Sequence, residues 1–394
     1  MRTANVFAVS GGFVPARLTI ARQAKGLKQK DLADELRFTP GTISKWESDS
    51  YEQGPDSSSL QALADRLSVE PNWFYKPLSP LKAGPAFYRS MRSELTTARD
   101  KAAAKLLFSF EIYKALDEIV EFPVADIPNL IEGADYRTLS PERIEALAGR
   151  LREYWGLGDD PIIDLMVVLE NAGVIVAETF LDSNKLDGVS AWFSEVPVVL
   201  LAKDKDGGVR RRFDAAHELG HLVLHRGLTQ ECIHKDLRLI EEQAMLFAGA
   251  FLMPASSFAV TSDRVTLEHL CDIKLRWGVS VGAMIKRLAS LSLISEQHER
   301  NLWKYYSYRQ WRGNEPHDDH IAVERPENLR SALELLAKED PATLTSIVEG
   351  ISIGADYITE LTGVKPECLQ AATVKRPKLK LVRINGSSVN PFSD

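Results

Sequence analysis

The sequence has little cysteine. It holds three, Cys232, Cys271 and Cys368, in a chain of 394 residues. They lie far apart, form no Cys-x-x-Cys pair and leave one over from any disulfide scheme. That excludes a disulfide-stapled fold, argues against a zinc site built of thiolates and fits a reducing cytoplasm. No run approaches the ~20 apolar residues that a membrane-spanning helix needs. At the N-terminus the apolar stretch MRTANVFAVSGGFV is broken by Asn5, Ser10 and two glycines, so no signal peptide is expected. Excess positive charge is also missing. The formal net charge is -7, so the chain is not a general nucleic-acid coat, and any DNA contact has to come from one locally basic face. Internal repeats and low-complexity tracts are lacking.

What is present suits packed cores: 44% of residues are hydrophobic and 26% charged. At ~100 to 200 residues per domain the length accommodates two or three domains. Residues 13–77 read as an all-helical unit, with apolar residues at helical spacing in ARLTIARQAKGL, KDLADEL, TISKWES and LQALADRL. Residues 78–138 read as a linker with proline and glycine (PLSPLKAGPAFYRS) and a helix over 96–119 that Phe122-Pro123 stops.

An α+β block is predicted over 139–316. It opens on Ser140-Pro141, a cap followed by proline at the first helical position, and continues with a helix that stops at Gly173. Three β-like runs follow, VIVAETF, GVSAWFS and VPVVLLA, of which the third is expected to be an edge strand able to pair with an extended peptide. Helices are predicted over 210–225 and 237–252, with two more between 266 and 311. Residues 325–394 read as mainly helical to about 372 and end on the alternating run PKLKLVRI, expected to be a strand. The helical N-terminal unit and the α+β unit are expected to act independently, because a proline-bearing linker joins them.

The clearest chemical signal is His217-Glu218-Leu219-Gly220-His221 on a helical segment. Four residues are slightly more than one turn, so both imidazoles leave the same face and can share one Zn2+ at ~2.0 to 2.1 Å. Glu218 lies about 100° away round the helix, where it can reach a water and act as general base. A third ligand is needed, and Glu241 on the next predicted helix offers a carboxylate; Glu242 is the alternative. Another zincin branch would carry a third histidine six residues after the second, where this chain has Gly227. His225 drifts ~40° off the ligand face and reads as a packed or substrate-side histidine.

Residues 29–47 carry a helix-turn-helix pattern, with Leu32, Leu36, Ile43 and Trp46 as the buried faces and small Ala33 at the crossing. Thr39, Thr42, Ser44 and Lys45, at the start of the second helix, are the candidates for the major groove; Gln29 and Arg37 are candidates for the backbone. Seven basic residues (Arg17, Arg22, Lys25, Lys28, Lys30, Arg37, Lys45) stand against four acidic ones (Asp31, Asp34, Glu35, Glu47). That is a modest excess of the right sign. The alternative for this unit is a protein-interaction module.

Several separated motifs in order, RRFDAAHELGHLVLH, EEQAMLFAGAFLMP and LRWGVSVGAMIKRLASLSLIS ending in WRGNEP, resemble the ImmA/IrrE metallopeptidases that occur fused to an XRE-type, or Cro/cI-like, helix-turn-helix. The resemblance covers about residues 14–316. It implies a multidomain chain: an all-α DNA-binding domain, an α+β zincin-like (gluzincin) domain and a mainly helical C-terminal region. It further implies His217, His221 and Glu241 as zinc ligands and Glu218 as the catalytic residue. Met245 stands where the family usually has Asn or Asp, and Asp214 where Thr is common. Pro40 and Gly41 replace the long base-reading side chains of such helices. The resulting expectation is a cytoplasmic zinc peptidase that binds an operator-like DNA site as a homodimer and cleaves a repressor, toxin or other partner. A regulator or antitoxin whose peptidase-like domain senses a partner is the alternative.

Overall fold

A computed structural model describes residues 12–50, 54–78, 96–131, 133, 135–183, 186–204, 207–258 and 265–371. The expected strand PKLKLVRI and most of the proline-bearing linker lie outside the described residues.

Helices α1 (Pro15–Ala24), α2 (Gln29–Leu36), α3 (Pro40–Trp46) and α4 (Ser57–Leu67), with a 3-10 turn at Pro71–Tyr75, form the N-terminal unit. Local chemistry sets their ends. The Asp31 carboxylate accepts from the Lys28 backbone N–H at 3.0 Å at the start of α2, and Arg37 ends it at φ 58°. Thr39 caps α3 by accepting from the Thr42 backbone N–H, with Pro40 in the first turn. Ile43 and Trp46 are buried as the apolar pattern requires, while Leu36 is only partly so.

Helix α5 (Thr96–Asp117) bears apolar residues on most of its circumference, which marks a helix buried between other elements. Phe108 meets Trp73 of the N-terminal unit edge-on at 5.1 Å and Tyr357 at 5.0 Å. Phe110 stacks on Phe193 of the sheet at 4.6 Å. Helices α6 (Pro141–Tyr154) and α7 (Leu165–Asn171) precede the sheet, with Ser140 capping α6 and Pro141 at its first position.

Strands β1 (Ile175–Thr179), β2 (Gly188–Phe193) and β3 (Val196–Ala202) lie in the order β1-β3-β2, with β1 parallel and β2 antiparallel to β3. VPVVLLA is therefore the central strand, not the edge. The edges are β1 and β2, and all residues of both are buried. Phe193 pairs with Val196 across a two-residue turn in which Ser194 takes φ 56°.

The sheet separates two cores. Val189, Ala191, Phe193, Val198 and Leu200 face α5 and join a core that runs into the N-terminal unit and the C-terminal helices. Val176, Trp192, Val199 and Leu201 face α6, α7 and the helices that follow the sheet. Burial on both faces explains why the strands read as almost continuous apolar runs.

Helices α8 (Gly208–Leu224) and α9 (Gln230–Leu252) follow. Helix α9 begins seven residues before its predicted start at 237. Thr229 caps the extra turn, and non-helical angles at Asp236 mark the junction, where the carboxylate accepts hydrogen bonds from the Tyr136 hydroxyl and Arg137 instead of facing solvent. Helices α10 (Ala255–Phe258), α11 (Leu267–Trp277), α12 (Val281–Ser290) and α13 (Glu296–Tyr308) complete the block.

Helices α14 (Asn328–Glu339), α15 (Pro341–Ile351) and α16 (Ala355–Thr362) pack on α5, and α17 (Pro366–Ala371) packs on these three. They also clasp the N-terminal unit: Val69 bridges to Ile353, and the Lys76 ammonium donates to the carbonyls of Gly350 and Ile351. Arg17 of α1 donates to Glu111 of α5 at 2.7 Å. The independence expected of the two units therefore does not extend to their packing. Among the described residues, no helix is long and apolar enough to cross a membrane.

Candidate metal centre and DNA-facing surface

Helix α8 crosses α9 closely because small residues meet there. A Cβ on Gly220 would lie 3.1 Å from the Ala244 carbonyl oxygen and 3.2 Å from its Cα. That approach carries Glu241 to the two histidines. His217 Nε2 and His221 Nε2 are 3.0 Å apart, and the Glu241 carboxylate oxygens lie 3.3 Å from the first and 3.6 Å from the second. Four atoms placed tetrahedrally at ~2.0 to 2.1 Å from zinc are about 3.3 Å from one another. Both Glu241 oxygens are buried and have no hydrogen-bond partner among the described residues, an arrangement that costs stability unless a cation or donor meets it. These three side chains could hold a metal ion. Glu242 points elsewhere; it is 60% exposed and lies 3.5 Å from Arg238.

Glu218 leaves the other side of α8 toward β2. Ser190 Oγ donates to its Oε2 at 2.6 Å, and a Cβ on Gly188 would come within 3.1 Å of its carboxyl group. Burial pushes the Glu218 carboxyl well above its usual range against the Ser190 hydrogen bond, and the negative charges of Glu241, Asp214 and Asp187 add to the rise. Ser190 was not singled out in the sequence. Its only signal there is a hydroxyl inside an otherwise apolar strand.

His225 caps the C-terminal end of α8 and is 1% exposed. Its Nδ1 lies 3.1 Å from His221 Nδ1, and its Nε2 lies 3.0 Å from Gln243 Oε1. Gln243 Nε2 in turn donates to the Tyr136 carbonyl at 2.6 Å. Burial pushes the His225 imidazole down to about 4, partly offset by Gln243; burial likewise pushes His221 well down, helped by His217 and His225. His217 Nδ1 is buried with no hydrogen-bond partner among the described residues. Met245, one turn along α9 from Glu241, lines two adjoining clefts together with Phe213, Ala283 and Lys286. Asp214 lines one of them, and the more apolar cleft, of about 560 Å³, reaches Glu241.

The surface of the candidate DNA-contacting helices is less basic than the sequence count suggests. Arg22 is buried in a two-pronged contact with Glu47 at 2.6 and 2.8 Å. Arg17 is buried against Glu111, and Lys25 is tied to Ser68 and Asp356. Lys28, Lys30, Arg37 and Lys45 remain exposed, alongside exposed Asp31, Asp34 and Glu35. Thr39, Ser44 and Lys45 are exposed on α3 and Thr42 is partly so; the Thr39 hydroxyl is engaged as a cap. Gln29 donates to Glu47 at 2.8 Å, which holds its amide against α3.

Comparison with known families places these two regions. Residues 18–74 match the profile described as Helix-turn-helix, and residues 169–289 match the IrrE N-terminal-like domain, a peptidase family. No curated protein matches the chain. The chain thus joins an N-terminal region that matches an XRE-type helix-turn-helix, of a kind that binds DNA, to a region that matches the ImmA/IrrE-like peptidases.

Proposed function

We propose that this chain is a cytoplasmic zinc-dependent endopeptidase that also binds double-stranded DNA, and that it regulates by cleaving a repressor, toxin or other partner, by controlling its own operon, or both. The division of labour follows the units 13–77 for DNA, 78–138 as connector and 139–316 for peptide cleavage. The observation that carries the reading is the convergence of His217, His221 and the hydrogen-bond-free carboxylate of Glu241.

His217, His221 and Glu241 would hold Zn2+, which supplies Lewis acidity and lowers the pKa of a bound water toward ~7. Glu218 accepts the proton of the attacking water and passes it to the departing amine nitrogen. Ser190 holds one Glu218 oxygen at 2.6 Å, leaving the other for the water, and Gly188 leaves room for the carboxyl group. Phe213, Met245 and Leu246 line the cleft beside Glu241 and suit an apolar substrate side chain.

Glu218→Gln keeps the three ligands and removes the base. It should retain the metal while losing turnover of any cleaved partner by at least ~100-fold; equal activity in that variant excludes the mechanism. A second reading, a regulator or antitoxin whose peptidase-like domain binds a partner and cleaves little, is favoured by the buried edge strands. Among the described residues, every residue of the two edge strands β1 and β2 is buried, which leaves little room for an extended peptide to pair there.

A further inference from the structure

We infer that a hydrogen-bond relay from the Tyr136 carbonyl through Gln243 and His225 sets the tautomer of His221, so that its Nε2 lone pair faces the metal position. The inference rests on the metal-centre reading above and adds His225 and Gln243 to it as positioning residues.

The relay follows from donor and acceptor bookkeeping. A backbone carbonyl only accepts, so the Gln243 atom 2.6 Å from the Tyr136 oxygen is the amide NH2. The Gln243 oxygen is thereby turned to His225 Nε2 at 3.0 Å, and it too only accepts. His225 Nε2 therefore carries a proton. A ring that donates at Nε2 and carries a single proton is bare at Nδ1, and a His221 that holds a metal keeps its Nε2 bare and its proton on Nδ1. The bare His225 Nδ1 lies 3.1 Å from His221 Nδ1, so the proton between them belongs to His221. His221 is left with its lone pair on Nε2, the atom 3.0 Å from His217 Nε2 and 3.6 Å from Glu241.

The partners come from separate parts of the chain. His225 lies one turn beyond His221, Gln243 sits two residues after Glu241 on α9, and Tyr136 precedes α6. Gln243 is 2% exposed and spends both ends of its amide on this chain of contacts. The α8–α9 crossing that delivers Glu241 thus also delivers the group that orients His221. Such outer partners of a ligating histidine fix its ring and typically change metal affinity 10–100-fold when removed.

The test uses the full-length chain. Histidine 15N chemical shifts, recorded before and after zinc addition, report which ring nitrogen carries the proton. The relay requires His225 protonated at Nε2 in both states and His221 protonated at Nδ1 before zinc is added. Either ring in the opposite tautomer overturns it, whether or not zinc binds; zinc uptake by the unchanged chain tests the metal-centre reading separately. Gln243→Met keeps the length and removes the acceptor. It should weaken zinc binding 10–100-fold in chelator competition and mix the His225 tautomers. Unchanged affinity with unchanged tautomers also overturns the relay. Should that variant fail to fold, the tautomers of the unchanged chain decide.

Discussion

At the scale of single residues, the two imidazoles proposed as ligands are supported unequally. His221 Nδ1 meets His225, whereas His217 Nδ1 is buried with no hydrogen-bond partner among the described residues. The resemblance supplies Asn or Asp at position 245, and Met245 offers only a thioether, a weak acceptor. Met245→Asp should therefore raise zinc affinity by about tenfold, the lower end of what such partners contribute. Chelator competition measures it, and a fall in affinity would show that 245 does not serve His217. The His217–Glu218–His221 spacing was legible in the sequence because one turn of helix fixes it. The choice of Glu241 over Glu242 came from the resemblance and not from the spacing, since it depends on which face of α9 meets α8. Ser190 was hidden for a similar reason: nothing local says that a strand residue will face Glu218.

At the scale of elements, the α8–α9 crossing makes the site. Gly220 against Ala244 sets the helix separation, and a side chain there has no room. Gly220→Val should destabilise the fold by about 1–3 kcal/mol, as overpacking in a close-packed core does, and should lower zinc affinity by moving Glu241 away. Thermal unfolding with and without zinc separates the two effects; a variant with native stability and native affinity would contradict the crossing as the organiser. Helix starts were legible where caps spell them out, as at Ser140-Pro141 and Thr39-Pro40. The start of α9 was missed although Thr229 caps it locally, because the helix is interrupted at Asp236, whose carboxylate turns to Tyr136 and Arg137 across the fold, and the apolar pattern resumes only at Leu237. The order of strands was also not legible. Three apolar runs of similar character do not reveal that the last lies between the other two, and the β2–β3 turn uses Ser194-Glu195 without a glycine.

At the scale of the whole molecule, α5 changes what the linker implied. The N-terminal unit does not hang from a tether; its Trp73 packs on Phe108, and Arg17 reaches Glu111. That tie withdraws Arg17 from the candidate DNA-contacting surface, as Glu47 withdraws Arg22 and Ser68 and Asp356 hold Lys25, which leaves Lys28, Lys30, Arg37 and Lys45 exposed. Each phosphate neutralised contributes ~0.9 to the slope of log affinity against log salt, so four cations give a slope of no more than about 4 per chain. Arg37→Ala and Lys45→Ala should each flatten it by ~0.9 on a fragment of the protein's own promoter. Identical slopes in all three proteins would remove α3 as the groove-facing element.

The account stands or falls on the metal. Elemental analysis of full-length protein purified without chelator should give about one zinc per chain, since a folded site of two imidazoles and a carboxylate retains its ion. Glu218→Gln should give the same stoichiometry and Glu241→Ala a markedly lower one. Under ~0.2 zinc per chain in the unchanged protein would contradict the assignment of His217, His221 and Glu241 as a zinc centre.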